Sequence, residues 1–546
     1  MPPAIPTPTL ARTAQLQRLG QRRFDVLIIG GGITGAGIAR EAARRGLDVA
    51  LVERDDFASG TSSRSSRLVH GGVRYLEHGH LRLVFEACRE RRVLLALAPH
   101  LVRPQRFTWP VYRGSRLPRW KLRAGLLLYD LLALFRNVAP HRGLDTRGIA
   151  DAEPRIEQTD LVGGAQYFDA ITDDARLTLA TMLDATVAGA TVLNHADVTG
   201  LLWTDGRVGG ARVTDRLGGR SFDIAAACVV NATGPWTDRV RRMEDPSATP
   251  AVLGSKGVHI AVPAARVGNL GAVTLLAPDG RVMFVLPAGP CTLIGTTETE
   301  DHALPDEVRA TRDDVAYLLA AANQVFPLAQ LKTNDVIAAW AGIRPLAAAV
   351  RSGDANSASR EHLVATGPGG VITVTGGKLT TYRVIGRDTV RAVFHALKRR
   401  APRAPSDEPP LAGGDLRDPG AEVAAARAAT GADDIAAWLV RAHGGAWQQV
   451  WSRTQGDERL AVRLAPDLPY IAAEVVHAVE VEHACTIADV LVRRLHLAFE
   501  SRDHGRGVAP GVAELMAPRL GWTDRGIALA LSDFDATVRR LFTIDP

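Results

Sequence analysis

Apolar runs and helical patterns alternate near the start of the chain in the order strand, helix, strand. The first run, residues 24–29, is rich in β-branched residues and predicts a buried strand of a parallel sheet. A helical pattern follows over residues 36–45, Gly46 ends it, and a second apolar run over residues 48–52 predicts the next strand. The pattern is that of a βαβ unit and predicts an α/β fold.

Further short apolar runs predict more strands: residues 227–231, 282–286, 291–294 and 371–375. Between residues 247 and 299 the elements are short and rich in turn residues. We therefore expect a mainly antiparallel sheet, inserted around residues 247–335, to interrupt the first fold.

Composition shifts mark the remaining boundaries. Pro, Gly and charged residues over 401–420 predict a linker, and Ala, Leu and Arg at helical spacing over 421–546 predict a C-terminal α-helical domain. Residues 1–23, with early Pro-rich turns, are interpreted as a disordered lead-in, with a transit peptide as the alternative. The oxidoreductase part then covers residues 24–400.

The composition excludes several classes of protein. With 46% hydrophobic and 23% charged residues, the chain is neither disordered, collagen-like nor a coiled coil. No apolar stretch reaches the ~18–20 residues of a membrane-spanning helix. The four cysteines lie far apart, which argues against zinc or a disulfide scaffold and favours a reducing compartment. The net charge of +6 does not select a partner.

A Gly-rich turn, Gly30-x-Gly32-x-x-Gly35, joins the first predicted strand to its helix. Gly30 suits a tight turn, Gly32 a close approach to a pyrophosphate, and Gly35 close packing of helix on strand. The helix N-terminus presents N–H groups and partial positive charge to phosphate. Glu53, at the end of the next strand, is predicted to accept hydrogen bonds from a ribose, so the unit predicts a dinucleotide site.

Two later stretches favour FAD over NAD. The strand ending in Ala232-Thr233-Gly234 resembles the second FAD motif of glutathione-reductase-like flavoproteins. Residues 371–382 predict a strand, a Gly-Gly turn and a helix capped by Thr380 or Thr381. We expect that helix N-terminus to face the pyrimidine end of a flavin, with Gly377, Lys378, Leu379 and Thr380 at the cofactor.

Seven blocks together resemble FAD-dependent, quinone-linked glycerol-3-phosphate dehydrogenases: residues 29–39, 61–78, 231–236, 255–259, 294–297, 342–346 and 376–383. The similarity runs from about residue 24 to 387 and is weaker in the C-terminal domain. Glu41 and Gly386 stand where the family usually has Asp and Ala. The resemblance implies a glutathione-reductase-like FAD fold, and oxidation of sn-glycerol 3-phosphate to dihydroxyacetone phosphate with electrons passed to a membrane quinone.

A dianionic substrate needs a phosphate clamp, and Arg binds phosphate through a planar, permanently charged fork. Arg344 and Arg360 are the first choices for substrate binding, helped by Arg74 and Tyr75. The family blocks support Arg344 and Arg74, whereas the sequence around Arg360 is less distinctive.

His70 is the first candidate for the base that takes the C2 hydroxyl proton. The alternative is that it binds the cofactor or orders its loop, with Lys378 as the base or a fixed cation. Lys256 is a weaker candidate. The predicted catalytic set is therefore His70, Arg344 and Lys378.

Hydroxyl side chains that precede His70 are expected to bind flavin phosphate or ring edges: Thr61, Ser62, Ser63 and Ser66. His78 and His80 form an HxH pair, but no third ligand is evident in the sequence. No metal is therefore assigned.

Residues 113–136 combine five basic residues, all within 113–123, with Trp120 and a Leu-rich stretch. This composition suits a helix at a membrane surface, and a core helix behind a basic loop is the alternative. Because a quinone is lipid-soluble, we expect a cytoplasmic protein attached peripherally to the inner face of the cell membrane. A homodimer is left open.

Two other functions compete with the dehydrogenase. A flavin oxidase of the same fold, acting on glycerophosphate, amines or amino acids, would pass electrons to oxygen. A non-catalytic basic protein binding nucleic acid or a membrane would need clustered charge with exposed aromatics. Aromatic residues make up only 5% of the chain, so no nucleic-acid partner is expected.

Overall fold

Two β-sheets and a helical C-terminal domain form the structure, a computed structural model that describes residues 8–277, 279–300, 304–348, 362–403 and 408–546. The strands, in chain order, are β1 (Arg23–Ile29), β2 (Val49–Val52), β3 (Leu68–Val69), β4 (Arg103–Tyr112), β5 (Arg142–Leu144), β6 (Leu161–Ile171), β7 (Thr191–Leu193), β8 (Ala196–Thr204), β9 (Arg207–Asp215), β10 (Ser221–Asn231), β11 (Val252–Pro263), β12 (Ala272–Leu276), β13 (Val282–Ala288), β14 (Cys291–Gly295), β15 (Thr299–Glu300), β16 (Ala338–Ala347), β17 (Leu363–Thr366) and β18 (Ile372–Thr375).

The helices, in chain order, are α1 (Pro8–Gln21), α2 (Ile33–Arg44), α3 (Leu81–Leu97), α4 (Arg119–Leu132), α5 (Thr146–Ala152), α6 (Asp174–Val187), α7 (Thr237–Glu244), α8 (Ala264–Val267), α9 (Arg312–Val325), α10 (Tyr382–Ala396), α11 (Pro419–Thr430), α12 (Asp433–His443), α13 (Trp447–Trp451), α14 (Ala472–Glu480), α15 (Leu497–Glu500), α16 (Ala509–Leu520) and α17 (Asp524–Phe542).

The first sheet has the order β17-β18-β10-β1-β2-β7. Strand β1 lies parallel between β10 and β2, with Ile28 opposite Val230 and Leu51. These strands are buried on both faces, and apolar side chains of α2, α6 and α10 pack against one of these faces. The predicted α/β fold with its βαβ unit is confirmed.

The second sheet is mainly antiparallel and has the order β15-β11-β14-β13-β12-β4-β6-β3, with β16 on β11 and β5 on β6. Its strands come from two regions, 68–171 and 252–347, so the predicted insertion at 247–335 captures only part of it. Strand β4 was not foreseen, because its Pro104 and Pro110 argue against a central strand. Both prolines lie outside the β4–β12 pairing, which involves Phe107 and Thr108.

The N-terminal segment is ordered from residue 8 onward. The expected lead-in over 1–23 is wrong there, because α1 spans Pro8–Gln21, and residues 1–7 lie outside the described part. Leu16 and Leu19 pack on the first sheet. Arg12 donates to Asp215 at 2.7 Å and to the Asn194 carbonyl at 3.0 Å. These contacts explain why a Pro-rich start still folds.

The C-terminal domain is helical, as predicted, and a π-helical turn over Asp489–Arg494 faces the first sheet. The linker before it also packs closely, since Leu411 is buried and its N–H donates to the Leu97 carbonyl at 2.8 Å. Among the residues described, no helix combines the length and apolar character that crossing a membrane requires. All four cysteines are free thiols.

Candidate active site

A cavity of about 320 Å³ opens where the parallel strands of the first sheet end. Residues just beyond β1, β2, β10 and β18 form one wall: Gly30, Glu53, Ala232, Thr233, Gly234, Gly376 and Gly377. The second sheet supplies the facing wall: Phe107, Tyr167, His259, Phe284 and Arg344. The carboxyl ends of parallel strands are the usual ligand position in open α/β sheets.

The Gly-rich turn has a shape that only glycine allows. Gly30 has a φ of +111°, and a Cβ on Gly35 would lie 1.9 Å from the Gly30 carbonyl oxygen. Gly35 therefore packs helix on strand, whereas Gly32 lines the cavity itself. A Cβ on Gly32 would approach Ser62 Oγ to 3.1 Å. The absence of a side chain at Gly32 therefore leaves its backbone accessible from the cavity. The first turn of α2 offers N–H groups there, a cradle that fits a pyrophosphate.

Glu53 is held rigidly beside this turn. Its carboxylate accepts hydrogen bonds from the Gly31 N–H at 2.6 Å and the Asp55 N–H at 2.9 Å. Burial raises the pKa of this carboxyl, against the lowering effect of those hydrogen bonds. Each carboxylate oxygen can accept a further bond, which suits a ribose hydroxyl.

At the other end of the cavity, His70, Tyr75 and Lys378 come together. The rings of His70 and Tyr75 stack with centroids 6.3 Å apart, and Lys378 Nζ lies 3.6 Å from the centroid of the Tyr75 ring. The Thr380 hydroxyl donates to the His70 carbonyl at 3.2 Å. It therefore ties two loops together rather than capping a helix. Thr381 occupies the N-cap position of α10, one of the two positions predicted, but its side chain makes no cap hydrogen bond.

Arg344, on β16, is anchored along part of its guanidinium. Its Nη2 donates to Thr296 Oγ1 at 3.0 Å and to the Thr297 carbonyl at 3.3 Å, and Nη1 lies 3.8 Å from a Glu298 carboxylate oxygen. The fixed guanidinium lines the same cavity as His70 and Lys378. This arrangement suits the binding of an anionic group.

The hydroxyl residues before His70 divide between different roles. Ser62 Oγ accepts from the Ile33 N–H at 3.0 Å, and Ser66 Oγ bonds His259 Nε2 at 2.9 Å. The Thr61 hydroxyl lines the cavity but donates to the Ile343 carbonyl at 2.6 Å. Ser63 is turned away and lines a second cavity instead, so its predicted place at the cofactor is wrong.

Other predicted positions are placed as follows. Lys256 forms an ion pair with Asp314 at 3.0 Å, outside the cavity wall. Leu379 lines the cavity with Lys378. Arg74 lies in a 3₁₀ turn over Val73–His78, but its side chain is outside the described part, as is the whole of Arg360.

His259 is a cavity residue that the sequence prediction missed. Its ring stacks on Trp340 with centroids 5.7 Å apart, and burial, helped by the charge of Arg344, lowers its pKa to about 3. The imidazole is therefore neutral at physiological pH. The block 255–259 contained the signal, but a histidine inside an apolar strand is more commonly a core residue.

Asp169 is a second missed residue. This buried carboxylate lines the cavity and accepts from the Gly71 N–H at 3.0 Å, next to His70. It also accepts from the Tyr129 hydroxyl at 2.9 Å and pairs with Arg91. No local sequence pattern brings β6, α3 and α4 together, so this contact could not be foreseen.

In the described part of the chain, two groups of side chains have the donor atoms of a metal site: His443, His477 and Glu482, and Asp56, His195 and Asp489. The carboxylates of both groups form ion pairs with arginines: Glu482 with Arg176, and Asp56 and Asp489 with Arg493. Each guanidinium already balances the charge of these carboxylates, as a bound metal ion would, so neither group supports a metal assignment.

Comparison with known proteins agrees with this architecture. The model of FAD dependent oxidoreductases matches residues 25–383, and that of the C-terminal domain of alpha-glycerophosphate oxidase matches residues 405–526. Glycerol-3-phosphate dehydrogenase of Synechocystis sp. is 38% identical, with 92% of this chain and 93% of the relative covered. The human mitochondrial enzyme of that name is 39% identical, with 94% of this chain and 73% of the relative covered.

The chain belongs to the FAD-dependent glycerol-3-phosphate dehydrogenase family. A solved structure of the Bacillus halodurans glycerol-3-phosphate dehydrogenase complexed with FAD superimposes with a TM-score of 0.81 at 29% identity, covering 99% of this chain and all of that one. FAD is the cofactor of this family member, as predicted, and the Gly-rich cradle and Glu53 fit its pyrophosphate and ribose. The predicted resemblance is confirmed.

Proposed function

We propose that this chain oxidises sn-glycerol 3-phosphate to dihydroxyacetone phosphate. When bound, FAD would accept the hydride that leaves C2 of the substrate. The observation that carries the proposal is the meeting of Arg344, Lys378 and His70 in one cavity that also contains the dinucleotide cradle. Membership of the dehydrogenase family supports the choice of substrate.

Arg344 is the principal phosphate ligand in this proposal. Thr296 and Thr297 fix the orientation of its guanidinium, so little side-chain entropy is lost when an anion binds. Lys378 adds a second cation, held over the face of Tyr75 by a cation–π contact. The predicted ligands Arg74 and Arg360 complete the clamp in this proposal.

His70 takes the proton of the C2 hydroxyl, and Lys378 is the alternative base. A tightly held His70 loop favours the first choice, since its carbonyl is fixed by Thr380 and the N–H that follows is fixed by Asp169. A base must be held within hydrogen-bond reach of the proton it removes. Aromatic side chains of Phe107, Tyr167 and Phe284 wall the cavity and limit the access of water.

Anaerobic titration of the holoenzyme with sn-glycerol 3-phosphate tests the reaction. The visible absorbance of the flavin should bleach with this substrate and stay unchanged with glycerol or D-amino acids. Bleaching by an amino acid, or an intact spectrum with glycerol 3-phosphate, would contradict the substrate assignment but leave the flavoprotein fold in place.

We further propose a membrane quinone as the electron acceptor, with attachment through α4 at the cytoplasmic face. The buried side of α4, with Leu122, Leu126 and Tyr129, packs on the protein. Apolar side chains protrude from its other side and from the turn that follows: Trp120 (73% exposed), Leu127, Leu131, Leu134 and Phe135 (60% exposed). Exposed basic residues flank this patch: Arg113, Arg116, Lys121, Arg123 and Arg136. This combination suits anionic headgroups above an acyl layer.

Oxygen is the alternative acceptor, because the C-terminal domain matches that of alpha-glycerophosphate oxidase. Stopped-flow reoxidation of the reduced holoenzyme separates the two acceptors. Fast reoxidation by a short-chain quinone with little hydrogen peroxide supports the dehydrogenase, and stoichiometric peroxide in air supports the oxidase.

A further inference from the structure

A second cavity, of about 930 Å³, lies between the first sheet and the C-terminal domain. Its walls come from α1, from the loop over residues 55–64, from the π-helical turn at 489–493 and from α17. It meets the flavin cavity at Asp55, Ser59, Arg64 and Trp236 but extends away from it. Ligand sites commonly have this size and lie between domains.

The charges around this cavity do not balance locally. Most of its acidic groups are already paired: Asp55 with Arg54 and Arg216, Asp56 with Arg493, Asp215 with Arg12, Asp306 with Arg54, Glu480 with Arg453 and Arg519, and Asp489 with His195 and Arg493. Asp533 is exposed at the rim.

Two cations are left over. In the described part of the chain, the side chains of Arg64 and Arg540 make no ion pair or hydrogen bond. The pKa of Arg64 is lowered to about 10, first by burial and then by the neighbouring charges of Arg540 and Arg493, with Asp55 and Asp306 acting in the opposite direction. Asp55 and Asp306 offset the repulsion between the arginines only in part, because both carboxylates already pair with Arg54. An anion between Arg64 and Arg540 would relieve the repulsion further.

The remaining wall is strongly apolar. Trp340, Phe499, Phe534, Trp522 and Leu520 line it. An occupant must therefore combine one charged group with an apolar body.

We propose that this second cavity binds a small organic anion, a phosphate monoester or carboxylate that carries an apolar group. Arg64 and Arg540 bind the charged group, and the aromatic wall contacts the apolar part. The site is separate from the substrate clamp, and its occupancy does not depend on the reaction proposed above.

Isothermal titration calorimetry of the FAD holoenzyme tests the site, with phenyl phosphate and hexanoate as the two probes. Phenyl phosphate binding alone identifies a phosphate site, and hexanoate binding identifies a carboxylate site. Arg64→Gln and Arg540→Gln should each weaken binding at least about tenfold, the usual value of a charge-assisted hydrogen bond. The matched control is Arg525→Gln, an exposed arginine on the same helix as Arg540, and it should bind like the unmodified protein.

Three results would overturn the proposal. The first is the absence of binding by either probe, or equal binding by Arg64→Gln, Arg540→Gln and the control. The second is binding that Arg344→Lys abolishes and Arg64→Gln leaves intact, which places the probe in the flavin cavity. The third concerns flavin content, read from the ratio of visible to ultraviolet absorbance. Loss of FAD from Arg64→Gln, with normal probe binding by Arg540→Gln, would assign Arg64 to the cofactor.

Discussion

Arg344 presents a guanidinium whose orientation is set by Thr296 and Thr297 before any substrate arrives. Arg344→Lys keeps the charge but removes the planar fork and the bond to Thr296. We expect kcat/KM for sn-glycerol 3-phosphate to fall about 100-fold, mainly through KM. Steady-state kinetics with a soluble acceptor measures this. Arg525→Lys, which changes an exposed arginine in the same way, should leave both constants unchanged, and an equal loss in that control would contradict the assignment.

His259 makes folding stability depend on pH. Its pKa is about 3 in the folded protein against 6.5 ordinarily, so the unfolded chain binds this proton first as the pH falls. Stability present above pH 6.5 is therefore lost progressively toward pH 3. At pH 5 the loss is about 2 kcal/mol, from 1.36 kcal/mol per pH unit.

His259→Gln should remove that loss, because glutamine does not titrate and can keep a bond to Ser66. Urea denaturation at pH 7.5 and pH 5 gives the difference for each protein, and other buried histidines contribute equally to both. The control is His395→Gln, at an exposed histidine of α10. A pH dependence in His259→Gln equal to that of the unmodified chain would show that the buried imidazole is not responsible.

Single residues were predictable where a local motif dictates their chemistry. The glycines and Glu53 belong to a turn whose geometry follows from the chain itself, and they line the cavity or pack beneath it. Ser63 was misplaced because alternate residues of a turn face opposite sides, and the sequence does not say which side carries the cofactor. His259 and Asp169 were missed because their function depends on partners far away in the chain.

Among the elements, α4 and the His70 loop are joined by a buried polar network. Asp169 accepts from the Gly71 N–H and the Tyr129 hydroxyl and pairs with Arg91. Asp169→Asn should lower kcat more than it changes KM, since the loop shifts while the phosphate clamp remains. It should also lower stability by about 3 kcal/mol, because Arg91 is left as a buried charge without its counter-ion.

The double variant Asp169→Asn/Arg91→Met separates these two effects. Removing the buried cation should restore most of the stability, measured by urea denaturation, but leave kcat low. Recovery of kcat together with stability would mean that Asp169 acts only on folding and does not position the His70 loop.

The exposed apolar side of α4 gives a test of membrane attachment. Leu127→Glu and Leu131→Glu should each weaken binding to vesicles of anionic phospholipid by at least about tenfold, because each removes an apolar side chain from the acyl layer and adds a negative charge. Vesicle co-sedimentation measures the affinity. Leu328→Glu, at a leucine that is 72% exposed on a different surface, is the control and should bind normally. Equal binding by all variants would place attachment elsewhere.

The elements themselves were predictable where apolar runs are continuous. Strands β1, β2 and β18 and the C-terminal helices follow their patterns closely. Helix α1 and strand β4 contradict local rules against proline, and both are held by tertiary contacts, α1 by Leu19 on the first sheet and β4 by its pairing with β6. Contacts of this kind depend on the whole fold and leave no local trace.

At the scale of the whole molecule, buried charges join the C-terminal domain to the first sheet. Asp56, fully buried, accepts from Arg493 at 2.6 Å and from Arg494 at 2.6 and 3.0 Å. Arg176 donates to Glu482 at 2.6 Å, and Asp173 bonds His496 at the same distance. The two parts should therefore unfold in one transition.

Asp56→Asn should lower the free energy of unfolding by about 3 kcal/mol, because two buried guanidinium groups lose the carboxylate they share and only Asp489, on Arg493, and Glu482, near Arg494, remain close to them. Differential scanning calorimetry should show a single transition at a lower temperature. Asp533→Asn, at the exposed rim of the second cavity, should melt like the unmodified protein. Two separate transitions in Asp56→Asn would show that this interface holds the domains together without making them one cooperative unit.

The same buried charges bear on how the chain folds as it is synthesised. The flavin-binding sheet has all its strands once β18 has been made, yet Asp56, Asp173 and Arg176 still lack the partners that lie between residues 482 and 496. A nascent chain paused on the ribosome before that point would expose unpaired charge on the face that the C-terminal domain later covers. Native folding is thus expected to finish only near the end of translation, and a gene cut at the linker would encode a product that depends on chaperones rather than a smaller oxidoreductase.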